Sequence, residues 1–178
     1  MSNVEKELVT EADSNQTNNG ESGMNAGIES LTILVLDDDE DDRNSIRKAW
    51  DKSRVANKLR FVEDGEELAG HLNHTGRHAN PASAPSPALI LLDLNMPRKD
   101  GREALHTIKA NPDLRQIPII VLTTSQADED ICRSYGLSAN SCITKPVTFR
   151  ALVDTLQVLD RYWIEIVDLP PKTIGAGN

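Results

Sequence analysis

Two short apolar runs, each ending abruptly in carboxylate, constrain this chain more than any other feature. Leu31 to Leu36 runs straight into six consecutive acids, Asp37 to Asp42, and Ala88 to Leu92 ends in Asp93, 56 residues after Asp37. Short apolar runs of this kind read as strands buried on both faces, with their C-terminal ends open to solvent. Two such strands side by side bring Asp37, Asp38 and Asp93 within reach of one ion.

The rest of the chain alternates in the same way. Ile46, Ala49 and Trp50 make one apolar face of a helix from about Asp41 to Ser53, following the i, i+3, i+4 spacing of a helix. Leu59 to Val62 is a short strand, and Asp64-Gly65 turns into a helix with Leu68, Ala69 and Leu72 inward. Prolines and small polar residues make 73–87 a loop. After the second buried strand, Leu105 and Ile108 face inward on a helix ended by Asn111-Pro112. Pro118 to Leu122 is a further strand, closing in Thr123-Thr124-Ser125, and Ala127, Ile131 and Tyr135 mark the helix after it. A strand around Ser141 to Thr144 stops at Lys145-Pro146, and Phe149, Leu152, Val153, Leu156, Leu159 and Trp163 recur at helical spacing. Five strands alternating with five helices call for an α/β fold, a doubly wound five-stranded parallel sheet covered on both faces.

The 178 residues suffice for one domain with tails, and the net charge of -9 is placed unevenly along them. Residues 1–30 carry six acids and one lysine with few apolar residues, a composition that buries too little surface to order itself. Outside that tail and the acidic run the domain is close to neutral, with no Lys/Arg stripe. Aromatic residues are 3% of the chain, so nucleic acid is not an expected partner. No run approaches a membrane span and the N-terminus has no secretory pattern, which points to the cytoplasm. Cys132 and Cys142 have no metal or redox spacing and read as reduced, inert thiols.

In open α/β sheets, ligands bind outside the carboxyl ends of the strands, and here those ends offer Asp37-Asp38, Asp93, Thr123 and Lys145. Mg2+ takes oxygen ligands, commonly one or two carboxylates with waters and a phosphate. Asp38, Asp93 and the backbone carbonyl of Asn95 suit direct ligation, with Asp37 holding a metal water. A carboxylate poised in this way beside a lysine and a hydroxyl can attack a phosphoryl group and form an aspartyl phosphate. Lys145 and Mg2+ would draw on the phosphoryl oxygens while Thr123 donates a hydrogen bond.

The runs ILVLDDDEDD, LILLDLNMPRKDG, PIIVLTTS and ITKPV resemble those of response-regulator receiver domains, in order and at matching separations, over about 31–167. Through DGREAL, NPDLRQIPIIVLTTS and YWIEIVDLP, the chain is similar to single-domain regulators associated with bacterial phytochrome kinases. The resemblance implies a flavodoxin-like sheet of order 2-1-3-4-5, with tails at 1–30 and 168–178. It implies Asp93 as phosphoacceptor, Asp37 and Asp38 as the acidic pair, Thr123 as switch hydroxyl and Lys145 as the paired lysine, with Lys145-Pro146 in cis. It also implies a sensor histidine kinase, of phytochrome type, as partner. Cys142 stands where receiver domains commonly carry the aromatic residue that follows the switch.

Only 33 residues follow Lys145, enough for a helix and a tail but not for a DNA-binding output domain. The expected protein is a stand-alone phosphoacceptor that assists its own phosphorylation and dephosphorylation without being a dedicated enzyme. Two alternatives stand beside it, a phosphorylation-independent interaction module and a Mg2+-dependent phosphatase. The phosphatase would want an acid two residues after the nucleophile, where Asn95 stands. Asp39 to Asp42 read mainly as the start of a helix, and His71, His74 and His78 as a weak zinc pattern broken by Gly76. Trp163, Ile164, Ile166, Val167 and Leu169 exceed what one helix face buries, which points to a homodimer seam or a clamp back on the domain.

Overall fold

A computed structural model of the chain describes residues 30–96, 101–124 and 139–166, the last three in backbone only. Five parallel strands form one sheet in the order β2-β1-β3-β4-β5. They are β1 (Thr32–Leu36), β2 (Lys58–Val62), β3 (Leu89–Asp93), β4 (Ile119–Thr123) and β5 (Ser141–Thr144). The helices are α1 (Glu40–Ser53), α2 (Gly65–Leu72), α3 (Gly101–Ala110) and α4 (Phe149–Asp160). The expected helix carrying Ala127, Ile131 and Tyr135, and both terminal tails except Ser30, lie outside the described residues.

Every residue of β1, β3 and β4 is buried, and period-2 alternation divides their side chains between two apolar layers. Leu34, Leu36, Ile90, Leu92, Ile119 and Val121 pack with Leu68, Leu72, Leu105 and Ile108 of α2 and α3. Ile33, Val35, Leu89, Leu91, Ile120 and Leu122 pack with Ile46, Ala49 and Trp50 of α1 and Val153, Leu156 and Leu159 of α4. Each fully buried aliphatic side chain contributes roughly 1.5–3 kcal/mol, so these central strands supply most of the apolar stabilisation.

Capping sets where the helices begin. Asp39 accepts from the amides of Asp41 and Asp42 at 2.8 and 3.0 Å, and Asp64 accepts from Glu66 and Glu67, each at 2.8 Å. These bonds satisfy donors that have no partner within the helix. The backbone amides also hold the Asp39 carboxyl below its ordinary pKa.

Three expectations change. The Lys145-Pro146 bond is trans, since the described residues hold no cis peptide. Trans is the lower-energy isomer of an X-Pro bond by about 0.5–1 kcal/mol, and here it coexists with a 2.6 Å bond from the Lys145 amide to the Thr123 carbonyl. The final helix gives way at Arg161 to a π-helical turn, Arg161–Ile166. Phe149, expected on the inner face, is instead exposed at the first position of α4. The loop 73–87 contains a single 3-10 turn, Gly76–His78.

Gly101, the first residue of α3, lies against the end of β3. A Cβ there would run into the Asp93 carbonyl oxygen and come within 3.0 Å of the Leu94 Cα. Gly101→Ala is therefore expected to destabilise the fold by about 1–3 kcal/mol, as overpacking does, and to displace the backbone that carries Asp93. Denaturant unfolding together with divalent-cation titration measures both effects.

Candidate functional site

The site is a cluster of charge at the C-terminal edge of the sheet. Asp37 directly follows β1, Asp93 ends β3, Thr123 ends β4 and Lys145 directly follows β5. The Lys145 Nζ donates to Asp37 Oδ2 at 2.8 Å, to Asp93 Oδ2 at 2.7 Å and to Asp42 Oδ2 at 2.6 Å. The other oxygens of the two strand-end carboxylates accept backbone amides two residues on, Asp39 N at 3.0 Å and Asn95 N at 2.9 Å. Both loops thus turn on their own aspartate, which leaves one oxygen of each facing the lysine.

The run of six acids divides by position. Asp37 is fully buried, Asp38 is exposed, Asp39 caps α1, and Glu40, Asp41 and Asp42 make its first turn. Sequence reasoning assigned Asp42 to the helix start alone. Its further contact with Lys145 follows from the cap, since a helix begun at Glu40 sets residue 42 in the turn above the strand ends. Arg43 was missed altogether. Its Nη1 donates to the Asp37 carbonyl at 2.8 Å and its Nη2 meets Glu63 Oε1 at 3.2 Å, tying the β1–α1 turn to the end of β2. The signal was in the spacing, because Arg43 lies on the stripe of Ile46 and Trp50.

Of the remaining predicted residues, Thr123 is fully buried and pairs in register with Thr144, one step beyond the pair Asp93 and Leu122. Asn95 is exposed, and its Nδ2 donates to Thr124 Oγ1 at 3.0 Å, linking the loops that follow β3 and β4. Cys142 is half-buried on β5. His71 and His78 lie side by side, ring centroids 5.1 Å apart, but His71, His74 and His78 form no metal-type cluster among the described residues. His71 is buried with Nε2 at 3.2 Å from the Pro85 carbonyl oxygen, while His78 faces Glu67 at 3.4 Å. The metal-type cluster among the described residues is Asp37, Asp42 and Asp93, with one oxygen of each within 4.8 Å of the others.

The electrostatics follow from burial and charge count. Burial pushes the Asp37 carboxyl above its ordinary pKa even though Lys145 pulls it down. Burial alone would lower the Lys145 pKa, but its three carboxylate partners outweigh that and hold it well above the ordinary lysine value. One ammonium is shared among three carboxylates, so the shell carries a net charge of -2 when all are ionised. An all-oxygen donor set with that surplus suits a hard divalent cation.

A raised folded-state pKa means that Asp37 supports the fold fully below its ordinary value of 3.8. That support is lost as pH rises through the folded value. At neutral pH the ionised, desolvated carboxylate is a net cost. Asp37→Asn should therefore raise the Tm of the metal-free protein at pH 7, by roughly 2–4 °C for each kcal/mol recovered, with the gain shrinking toward pH 4. A fall in Tm at pH 7, followed by calorimetry, contradicts this.

Comparisons with known proteins agree with the fold. The model of the response regulator receiver domain matches residues 33–157. Response regulator Rcp1 of Synechocystis sp. is 39% identical over 138 residues, which cover 78% of this chain and 92% of Rcp1. The crystal structure of the phosphorylated cyanobacterial phytochrome response regulator RcpA superposes with a TM-score of 0.70 at 38% identity, covering 79% of this chain and 99% of RcpA. The Mn2+-bound form of Rcp1 superposes with a TM-score of 0.67 at 38% identity, over 79% of this chain and 99% of that one. The chain belongs to the response regulator receiver domain family.

Proposed function

We propose that the protein is a stand-alone response regulator that accepts a phosphoryl group on Asp93 from a sensor histidine kinase and signals through altered protein contacts. The observation that carries this reading is the Lys145 ammonium bound at once to Asp93, Asp37 and Asp42. Asp93 is a buried carboxylate at the end of β3 whose charge the lysine compensates, which supports it as the acceptor. The match over 92–99% of the length of the relatives supports a protein that works as a receiver alone. The likeness to RcpA, a cyanobacterial phytochrome response regulator, favours a kinase of phytochrome type.

In the transfer, an Asp93 oxygen forms a bond to phosphorus as the bond from phosphorus to the donor nitrogen breaks, and the nitrogen leaves with its electron pair. Lys145 neutralises charge on the phosphoryl oxygens, and Thr123 donates its hydroxyl to one of them. Asp93, Asp38 and the Asn95 carbonyl are the proposed ligands of Mg2+, with Asp37 holding one of its waters; bound there, the ion supplies the remaining positive charge that phosphoryl transfer requires. Asp38 suits this role because it is exposed at the mouth and outside the lysine's shell. The Mn2+-bound relative supports divalent occupancy, and Mg2+ is our choice among such ions.

The donor has a surface to meet. Beside the mouth, α1 and α4 border a cleft of about 340 Å3 floored by Ile46 and Leu156, with Val147 and Phe149 exposed at its rim. A partner that presents a phosphohistidine to Asp93 would cover these residues. A homodimer through the C-terminal apolar segment completes the proposal, since Val158 and Tyr162 present exposed apolar surface there.

Acetyl phosphate with Mg2+ should add one phosphoryl group to the wild type, seen as a mass increase, and none to Asp93→Asn. An unmodified wild type, both here and with phytochrome-type kinases, would rule the mechanism out. Calorimetric titration separates the metal ligands. Asp38→Asn and Asp93→Asn should each weaken Mg2+ binding tenfold or more, on the order of one lost charged ligand, and Asp42→Asn much less. The reverse order would move the direct ligand from Asp38 to Asp42.

A further inference from the structure

β2 is an edge strand, and its open side is unusually equipped. The Lys58 amide donates to the Leu31 carbonyl and the Val62 carbonyl accepts from Asp37, so residues 58, 60 and 62 turn their backbone groups toward β1. By alternation Leu59 and Phe61 turn theirs outward, where they meet no partner among the described residues. That edge forms the floor of a cleft of about 860 Å3 between α1 and the loop after α2.

Three arginines, Arg47, Arg60 and Arg77, line the cleft against one carboxylate, Asp51. Arg47 lies over the Phe61 ring, its Cζ 4.6 Å from the centroid, and its Nη1 bonds the neutral Asn44. Arg60 has no carboxylate partner among the described residues, and its Nε is buried without a hydrogen-bond partner. Arg77 also lines the cleft but is paired with Glu67. Two guanidiniums therefore border an open strand edge without a compensating ion pair.

The matching charge enters at this rim. Ser30 Oγ donates to the Ala56 carbonyl at 3.0 Å and the Leu31 amide to Asn57 Oδ1 at 2.9 Å, and Val55 and Asn57 both line the cleft. Residues 1–29, which carry Glu5, Glu7, Glu11, Asp13, Glu21 and Glu29 against Lys6 alone, thus join the domain beside it. A segment tethered next to its site acts at an effective concentration on the order of millimolar, enough for weak ion pairs to hold it.

We propose that the acidic N-terminal segment, residues 1–29 of the same chain, docks along the open edge of β2 with its carboxylates on Arg47 and Arg60. In this position it covers outward backbone groups that would otherwise be available to another strand.

Hydrogen exchange of the full chain at low salt tests this, with the Leu91 amide as the reference for global stability. The Leu59 and Phe61 amides should exchange more slowly in the wild type than in a variant carrying E5Q, E7Q, E11Q and D13Q. That protection should be lost in about 0.5 M NaCl, where the screening length falls to a few ångströms. It should likewise be lost in Arg47→Gln, an exposed substitution, and in Arg60→Gln, with Leu91 unchanged in each. Equal exchange in wild type and the glutamine variant overturns the proposal, as does protection that survives high salt. Protection that grows with protein concentration assigns the edge to a second copy, and protection seen only with added polyglutamate assigns it to an external acidic partner. Either result removes the tethered segment as occupant.

Discussion

Everything at the working edge of this protein turns on one ammonium among three carboxylates. Lys145 reaches Asp37, Asp42 and Asp93 within 2.6–2.8 Å, across 108, 103 and 52 residues of chain. Without it, the packing that brings β1 beside β3 would set two buried carboxylates together with no compensation. With it, the cluster keeps a surplus of negative charge. That surplus is what would let the proposed cation site and the proposed phosphoryl acceptor share one place.

The scaffold makes this possible by being rigid where the charges are. β1 and β3 are buried along their whole length and fix the spacing of Asp37 and Asp93 through their backbone ladder. The close approach of Gly101 holds α3 against the end of β3, and Arg43 ties the first loop to β2. The lysine itself follows β5, whose residues are half-buried or exposed. The site therefore joins a stiff acidic half to a more exposed cationic half. A chemical change at Asp93 would reach the β5 side through Lys145 before it reached the rest of the sheet.

Much of this was legible in the residues. Each buried strand announced itself as a short apolar run with an abrupt polar end, and the four runs that carry the family resemblance are those that supply Asp37, Asp93, Thr123 and Lys145. What local pattern could not show were contacts made across the fold. Asp42 looked like a helix-start acid because its contact with Lys145 spans 103 residues. Arg43 went unmarked, for its place on the apolar stripe of α1 hints at burial but nothing nearby in sequence marks the Asp37 carbonyl as its target. The role of Gly101 was hidden too, since only the packed backbone reveals how near the Asp93 carbonyl lies. Phe149 failed in the other direction, for an apolar residue at helical spacing can still stand at the first, exposed position of its helix.

The central claim is that Lys145 is the resident cation of this cluster, occupying the charge environment in which a divalent ion is bound. Titration of the metal-free Lys145→Met variant with Mg2+, beside the wild type, addresses it most directly. Removing a competing positive charge from within hydrogen-bond distance of three carboxylates should tighten Mg2+ binding by roughly tenfold or more. Unchanged or weaker binding would contradict the account.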